Sequence, residues 1–309
     1  MATPLALGDT LAGYRLLRRL GSGGHGTVFL AEPDVKQGAK VAAFGSAKDP
    51  PTNGGRRPAV ALKVVPLAAG DAGAGFLRQA KDAQRLRHPG IVSLWAAGVQ
   101  GSWAWMAMEP VPGSDMQRYT QSSRLLPEAV VLTVAAILAD ALAHAHAQGV
   151  VHRDLKPANV LVHWPKRLVK LADFGLARSA ASETTQTGVL LGTPSYMAPE
   201  QLAGAVPDAR SDTYALGVTL FELLTGQLPH QGHSMGELLQ SLASSQAPAL
   251  SSLRPELPHA LGALLAHLLA RDPARRAPDL AGVAEQLRDL AERLTRDMAP
   301  TAAGGVMSR

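Results

Sequence analysis

The spacing of apolar residues changes character about a third of the way along this chain. Tyr14-Arg15-Leu16-Leu17-Arg18-Arg19-Leu20 runs into a glycine cluster and Thr27-Val28-Phe29-Leu30 returns from it, which predicts two strands joined by a glycine-rich turn. Val60-Ala61-Leu62-Lys63-Val64-Val65 continues the sheet. A helix is predicted from about Phe76 to Arg87, closed by His88-Pro89, and strand-like stretches follow at Ile91-Val92 and from Trp103 to Met108. Beyond Pro112-Gly113 the pattern is helical. Val130, Val134, Ile137, Ala141 and Ala145 describe a core-facing stripe, and Asp212 to Thr225 is apolar almost all round, as for a helix inside a lobe. Leu280, Val283, Leu287, Leu290 and Leu294 mark a last amphipathic helix, with Arg288, Asp289, Glu292 and Arg293 on its other side.

Two segments fall outside this pattern. Residues 33–58 are rich in Gly, Pro, Ala, Lys and Asn, with turn signals at Asp49-Pro50-Pro51 and Asn53-Gly54-Gly55, and read as a flexible insertion between strands. Residues 299–309 are small and polar and read as a disordered tail. At 309 residues the chain exceeds a single core, so two lobes are expected. With 46% hydrophobic and 18% charged residues it is a globular sequence.

Charge and composition narrow the function classes. The net charge of +5 comes from scattered pairs such as Arg18-Arg19, Arg56-Arg57 and Arg275-Arg276, not from a stripe, and no aromatic platform accompanies them. Nucleic-acid binding is therefore not expected. The absence of cysteine excludes disulfides and Cys-ligated metals. The start, Met1-Ala2-Thr3-Pro4-Leu5, has neither a basic n-region nor an apolar h-region. The most membrane-like run, Ala129 to Ala139, is cut by Asp140 and is shorter than the roughly 20 residues of a span. A cytoplasmic protein without a membrane anchor is expected. Nothing in the sequence speaks to its oligomeric state.

The strings that carry chemistry come in a fixed order. Gly21-Ser22-Gly23-Gly24-His25-Gly26-Thr27-Val28 fits G-x-G-x-x-G-x-V and continues into a strand, whereas a dinucleotide-binding fingerprint opens a helix. Lys63 lies inside an apolar strand, where an ammonium needs an anionic partner. His152-Arg153-Asp154-Leu155-Lys156-Pro157-Ala158-Asn159 is followed by Asp173-Phe174-Gly175, and later by Ala198-Pro199-Glu200. Phosphoryl transfer to a hydroxyl needs a carboxylate near the attacking oxygen and hard oxygen ligands for magnesium, and these strings supply both.

On these motifs the chain resembles the eukaryotic-like (Hanks-type) serine/threonine protein kinases, and its wording is similar to bacterial members. The resemblance covers nearly the whole chain. It implies an α+β, bilobal protein kinase fold over residues 14–298, with a β-rich N-lobe at about 14–109, a hinge at 109–112 and a helical C-lobe at 113–298. It implies ATP and Mg²⁺ as cofactors, and Ser/Thr hydroxyls of protein substrates as acceptors. In catalysis it makes Asp154 the base, with Lys156 and Lys63 beside the phosphates. For nucleotide binding it marks Leu20, Gly21, Ser22, Gly23, Gly24, His25, Gly26, Thr27, Val28, Ala61, Lys63, Met108, Glu109, Val111 and Leu161, with Met108 as gatekeeper and Val111 as amide donor. For metal binding it marks Asn159 and Asp173. Thr185 and Thr187 resemble the autophosphorylated pair of an activation segment, with Arg153 as the cation able to hold a phosphothreonine. Glu200, Asp212 and Arg276 resemble the structural polar core.

One position departs from the pattern. Phe76-Leu77-Arg78-Gln79-Ala80 places Gln79 where the family's helix carries the glutamate that pairs with the strand lysine. Asp82, one turn on, is a second candidate for that partnership. The departure keeps a pseudokinase or nucleotide-binding scaffold as the alternative to an active kinase. A small-molecule phosphotransferase of aminoglycoside- or choline-kinase type fits less well, because the segment ending in Ala198-Pro199-Glu200 is present.

Overall fold

The protein's structure, a computed structural model, describes residues 5–23, 26–34, 58–67, 72–174, 193–277 and 279–297. Its first part is a six-stranded antiparallel sheet ordered β1-β2-β3-β4-β6-β5. The strands are β1 (Thr10–Leu11), β2 (Tyr14–Gly23), β3 (Gly26–Pro33), β4 (Val60–Pro66), β5 (Leu94–Gln100) and β6 (Trp103–Met108), with helix α1 (Ala72–Arg85) between β4 and β5. The sheet therefore reaches Thr10, ahead of the predicted start at Tyr14. Most of the predicted insertion, residues 35–57, lies outside the described residues, as does the tail.

Alternation along β4 sorts the sheet into two faces. Leu62 and Val64 join Leu16, Phe29, Ala31, Trp105 and Ala107 in one apolar cluster. Ala61 joins Phe76 and Ala80 of α1 with Leu94, Met106 and Met108 in the other. Lys63 has the parity of the second face. The sequence reading placed a strand at Ile91-Val92. The structure gives Ile91 only an isolated bridge to Leu171 and starts β5 at Leu94. That strand was missed because small residues break its apolar signal. At Gly98 the cause is the Trp105 ring, which lies across β5 so that a Cβ there would come within 2.6 Å of the indole.

The second part is helical around a three-stranded sheet of β7 (Ser114–Asp115), β8 (Val160–His163) and β9 (Leu168–Leu171). Its helices are α2 (Glu128–Ala147), α3 (Pro199–Leu202), α4 (Ala209–Thr225), α5 (Met235–Ser244), α6 (Leu250–Leu253), α7 (His259–Leu268) and α8 (Leu280–Asp297). α2 packs along α8 and against α4, and α4 against α7. The expected stripe on α2 is kept at Val134, Ala141 and Ala145, which are fully covered, but not at its other two positions. Val130 and Ile137 are half-buried, while Val131, Leu138 and Leu142 are fully covered, because α2 is enclosed on more than one side. By length and apolarity alone α2 could cross a membrane, but here it is the central helix of the lobe core. α4 is buried from Ser211 to Leu224, as its all-round apolar pattern predicts. Of the α8 stripe, Leu280, Val283, Leu287 and Leu290 are buried in that core, and Leu294 packs against it.

Candidate active site

The segment from Val150 to Asn159 is held from beneath by one buried carboxylate. Asp212, near the start of α4, accepts the backbone N–H of His152 on Oδ2 (2.7 Å) and that of Arg153 on Oδ1 (2.8 Å). His146 of α2 adds a third contact to Oδ2 at 2.8 Å. This anchoring holds Arg153 at φ 70, a left-handed conformation that a non-glycine residue keeps only when its surroundings impose it. The His152 ring ties the segment to the loop after β9, which carries Asp173. Nε2 lies 2.8 Å from the Ala172 carbonyl, and Nδ1 accepts the Asp154 N–H at 3.2 Å. A carbonyl can only accept and an amide only donate, so the proton sits on Nε2. Phe174 packs edge-on against the same ring, with centroids 4.6 Å apart.

Three polar side chains then meet. Asp154, 9% exposed, takes Lys156 Nζ at 3.0 Å on Oδ1 and at 2.9 Å on Oδ2. Asn159 Nδ2 donates to the Asp154 backbone carbonyl (2.7 Å) and to its Oδ2 (3.0 Å). With both amide protons directed at Asp154, the Asn159 carbonyl oxygen remains the atom able to bind a cation. Asp173 follows at φ 66, its Oδ2 2.8 Å from Lys63 Nζ. The site thus joins β4 of the sheet to the loop after β9.

The expected nucleotide-contacting positions sort by strand register. Val28 lies opposite Lys63, Leu30 opposite Ala61, and Ala61 opposite Met108, so Val28, Ala61, Lys63 and Met108 share one face of the sheet. Leu20, Gly21, Ser22 and Gly23 form the exposed end of β2, and Gly26, Thr27 and Val28 start β3. Leu161 lies half-buried on β8. Gly24, His25, Gly175, Thr185 and Thr187 lie outside the described residues. Among the described residues the Val111 amide has no hydrogen-bond partner, which leaves it able to donate to a ligand.

Lys63 is 3% exposed, and Asp173 is its ion-pair partner among the described residues. Gln79 is half-buried on α1, and no side-chain hydrogen bond of Gln79 is found among the described residues. Asp82 is not the partner either. It is exposed and pairs with Arg85 of its own helix at 2.9 Å.

Lys170 and the Glu109 side chain were missed in the sequence. Lys170 Nζ bonds Glu109 Oε2 (2.8 Å) and the Ile91 carbonyl (3.2 Å). Glu109 also exchanges backbone and side-chain bonds with Ser93. These contacts fasten the connection between the lobes to β9. The available signal was a lysine inside the apolar run Leu168-Val169-Lys170-Leu171, the same signal that marked Lys63.

The polar core is assembled as the resemblance implied. Arg276 grips Glu200 with two parallel bonds of 2.6 and 2.8 Å, and also donates to the carbonyls of Ala270, Arg210 and Arg271. Burial pushes the Glu200 carboxyl upward, but the hydrogen bonds and charge of Arg276, with Ser211, outweigh it and leave the group below its ordinary value.

A strand lysine facing an aspartate, and a second aspartate joined to a lysine and an asparagine, match the protein kinase domain family, whose model aligns with residues 14–287. The chain belongs to that family. This kinase domain is 32% identical to the serine/threonine-protein kinase PrkC of Bacillus subtilis over 277 residues, 88% of this chain and 40% of PrkC. It is 36% identical to the serine/threonine-protein kinase PknJ of Mycobacterium tuberculosis over 286 residues, 89% of this chain and 45% of PknJ. It is also 36% identical to PknF of the same organism over 290 residues, 88% of this chain and 55% of PknF. The chain thus spans about half the length of these curated relatives.

Proposed function

We propose that this chain is an active protein kinase that transfers the γ-phosphoryl group of Mg-ATP to serine or threonine hydroxyls of proteins. The observation that carries the reading is the joining of Asp154, Lys156 and Asn159 of one loop with the neighbouring loop after β9, whose Asp173 reaches Lys63 of the β4 strand. The donor set fits the nucleotide and its metal. Asn159 and Asp173 offer hard oxygens, Lys63 offers a buried cation for phosphate oxygens, and the glycines from Gly21 to Gly26 allow close backbone approach. Magnesium, when bound, neutralises charge on the phosphates and fixes their orientation.

The chain's own residues do the rest. The acceptor hydroxyl oxygen forms its bond to the γ-phosphorus as the bond to the bridging oxygen breaks, and ADP leaves with that electron pair. Asp154 orients the hydroxyl and takes its proton. Lys156, already within 3 Å of Asp154, offsets negative charge on the transferring group. The bonds of Asp154 to Lys156 and Asn159 keep the carboxylate in place, so that little reorganisation accompanies the reaction. Thr185 and Thr187 are the proposed autophosphorylation sites.

The test is to incubate the purified chain with Mg-ATP and map phosphosites by mass spectrometry. Asp154→Asn is expected to lower turnover by about 10²–10⁴, the range for a positioned base, with nucleotide binding retained. Unchanged autophosphorylation in that variant would remove the assignment. The second reading, a nucleotide-binding scaffold, is favoured by Gln79 alone. It forecasts thermal stabilisation by nucleotide without any phosphate incorporation.

A further inference from the structure

The C-lobe carries an aromatic and cationic surface that the active site does not use. β7 pairs with β8 in the register Ser114 to Val162 and Asp115 to Leu161. This brings the turn after β7, Met116–Tyr119, alongside the turn after β8, Trp164–Lys166. Trp164 Nε1 donates to the Tyr119 hydroxyl at 2.7 Å, and the two rings meet edge to face with centroids 5.8 Å apart. The Arg118 guanidinium carbon lies 5.6 Å from the centre of the Tyr119 ring. Lys166 and Arg167 follow Trp164 directly. Arg124 lies in the next short turn, Ser122–Arg124.

All four cations are exposed. None has a carboxylate partner among the described residues. Residues 116–127 and 163–168 contain no Asp or Glu at all. The acids that flank the first of these segments are engaged: Asp115 caps, accepting the Gln117 N–H at 3.1 Å, and Glu128 pairs with Arg254. Trp164 is 37% exposed although its only donor is already satisfied, so what it presents to solvent is apolar ring. Aromatic area with unpaired cations around it is the composition of a recognition surface, whereas scattered surface charge needs no aromatic beside it.

We infer that this surface docks an acidic segment of the protein substrate, a stretch of Asp and Glu with an apolar side chain that rests on Trp164. The inference rests on the phosphotransfer reading above for the word substrate, and the charge complementarity rests on the residues just named. Position supports it. β8 begins at Val160, immediately after Asn159, so a segment held on the β8 turn is attached to the same short sheet that ends in the catalytic loop. Docking there would raise the local concentration of an acceptor hydroxyl without contacting the phosphates.

The test separates docking from catalysis. Anisotropy of a fluorescein-labelled peptide of Glu residues around one Phe is measured with the whole chain in the absence of ATP, against a same-length Ser/Gly peptide. The wild type is expected to bind the acidic peptide preferentially and less tightly as salt rises. Lys166→Glu with Arg167→Glu is expected to weaken it about tenfold, the scale of two exposed ion pairs. Trp164→Ala is expected to weaken it by a similar factor, with an unchanged Tm showing that the fold is kept. In turnover, a substrate bearing the acidic tail is expected to show a raised KM and unchanged kcat with the charge-reversed variant. The same substrate without the tail should show no change in either. Equal binding of acidic and neutral peptides, or no loss on charge reversal, would overturn the proposal. So would a single-stranded oligonucleotide or phosphatidylserine vesicles binding as tightly as the acidic peptide with the same sensitivity, since the surface would then read any polyanion. Because the anisotropy arm needs no turnover, an inactive enzyme would count against the kinase reading and leave docking to be judged alone.

Discussion

Lys63 decides most of what is unusual about this chain. A buried ammonium must have an anionic partner, and here that partner is Asp173, the carboxylate also proposed to bind the metal. Gln79 cannot relieve it, because a neutral amide accepts a hydrogen bond worth about 1 kcal/mol where a charged acceptor is worth roughly 1.5–3. Gln79→Glu is therefore expected to give Lys63 a second anion and release Asp173 for its ligand. Turnover should rise about threefold to tenfold, the effect of ~1 kcal/mol in the population of the assembled site, and the Mg²⁺ concentration at half-maximal thermal stabilisation by ADP should fall. Asp82→Ala should change neither, given that Asp82 is exposed and pairs with Arg85 of its own helix among the described residues. A Gln79→Glu protein no faster than its parent, with an unshifted magnesium midpoint, would sink this account. The odd position was legible in the sequence because its neighbours Phe76 and Ala80 fix the helical register. Its consequence was not legible, because the choice of Asp173 as partner depends on how the loop after β9 lies against β4. Glu109 and Lys170 escaped for the same reason: sixty-one residues separate them, and no local pattern joins them.

At the scale of elements, the glycine-rich turn shows which glycines the backbone requires. Gly26 has φ 109, and a Cβ there would lie 2.3 Å from the Val64 carbonyl oxygen. An alanine would strain φ and push β3 off β4, whose register sets Val28 opposite Lys63. Gly26→Ala is expected to cost about 1–3 kcal/mol from the backbone strain alone, read in urea unfolding, and to weaken nucleotide binding. Gly101, in the turn between β5 and β6, also has positive φ but open space around it, so Gly101→Ala should cost only about 1–2 kcal/mol and leave nucleotide affinity unchanged. Loss of nucleotide affinity in both variants would mean that general destabilisation, not the β3–β4 spacing, is being measured. Strands flanking a turn were legible here because the glycine cluster and the turn-rich segment before Val60 bound apolar runs of strand length. β5 was not, since its residues facing Trp105, Ala96 and Gly98, are small, and at Gly98 the indole leaves no room for a Cβ, a requirement set by a neighbouring strand.

Across the whole molecule, the lobes meet at residues 86–93, and that junction is built around two imidazoles. His88 Nδ1 accepts the Gly90 N–H at 3.0 Å, and His144 Nε2 of α2 accepts the Arg87 N–H at 3.2 Å, with the rings 5.3 Å apart. The same segment bonds β9 through Val92 N to Leu171 O and through Leu171 N to Gly90 O, and bonds the hinge through Ser93. Burial first, then the nearby His144 and Lys170, hold His88 below its ordinary value. Burial and Arg271 do the same for His230 in the C-lobe. The sign follows from proton uptake. Unfolded imidazoles bind a proton near pH 6.5 while the folded ones resist to lower pH, so in between the unfolded chain holds more protons. The stability these groups contribute is complete above about pH 6.5 and is lost as pH falls through their folded values. Tm is accordingly expected to drop between pH 7.5 and 5.5. Glu222, pushed up by burial against its bond to Tyr196, has the opposite sign, so the decisive comparison is between variants that share it. His88→Asn keeps an acceptor for the Gly90 N–H, since Asn readily bonds the amide two residues on, but it cannot be protonated in this range. Its Tm should fall less steeply than the parent's, and amide exchange at residues 86–93 should quicken on acidification in the parent more than in the variant. Parallel Tm curves for the two proteins would show that acid acts elsewhere and that the lobe junction is held by its backbone bonds alone.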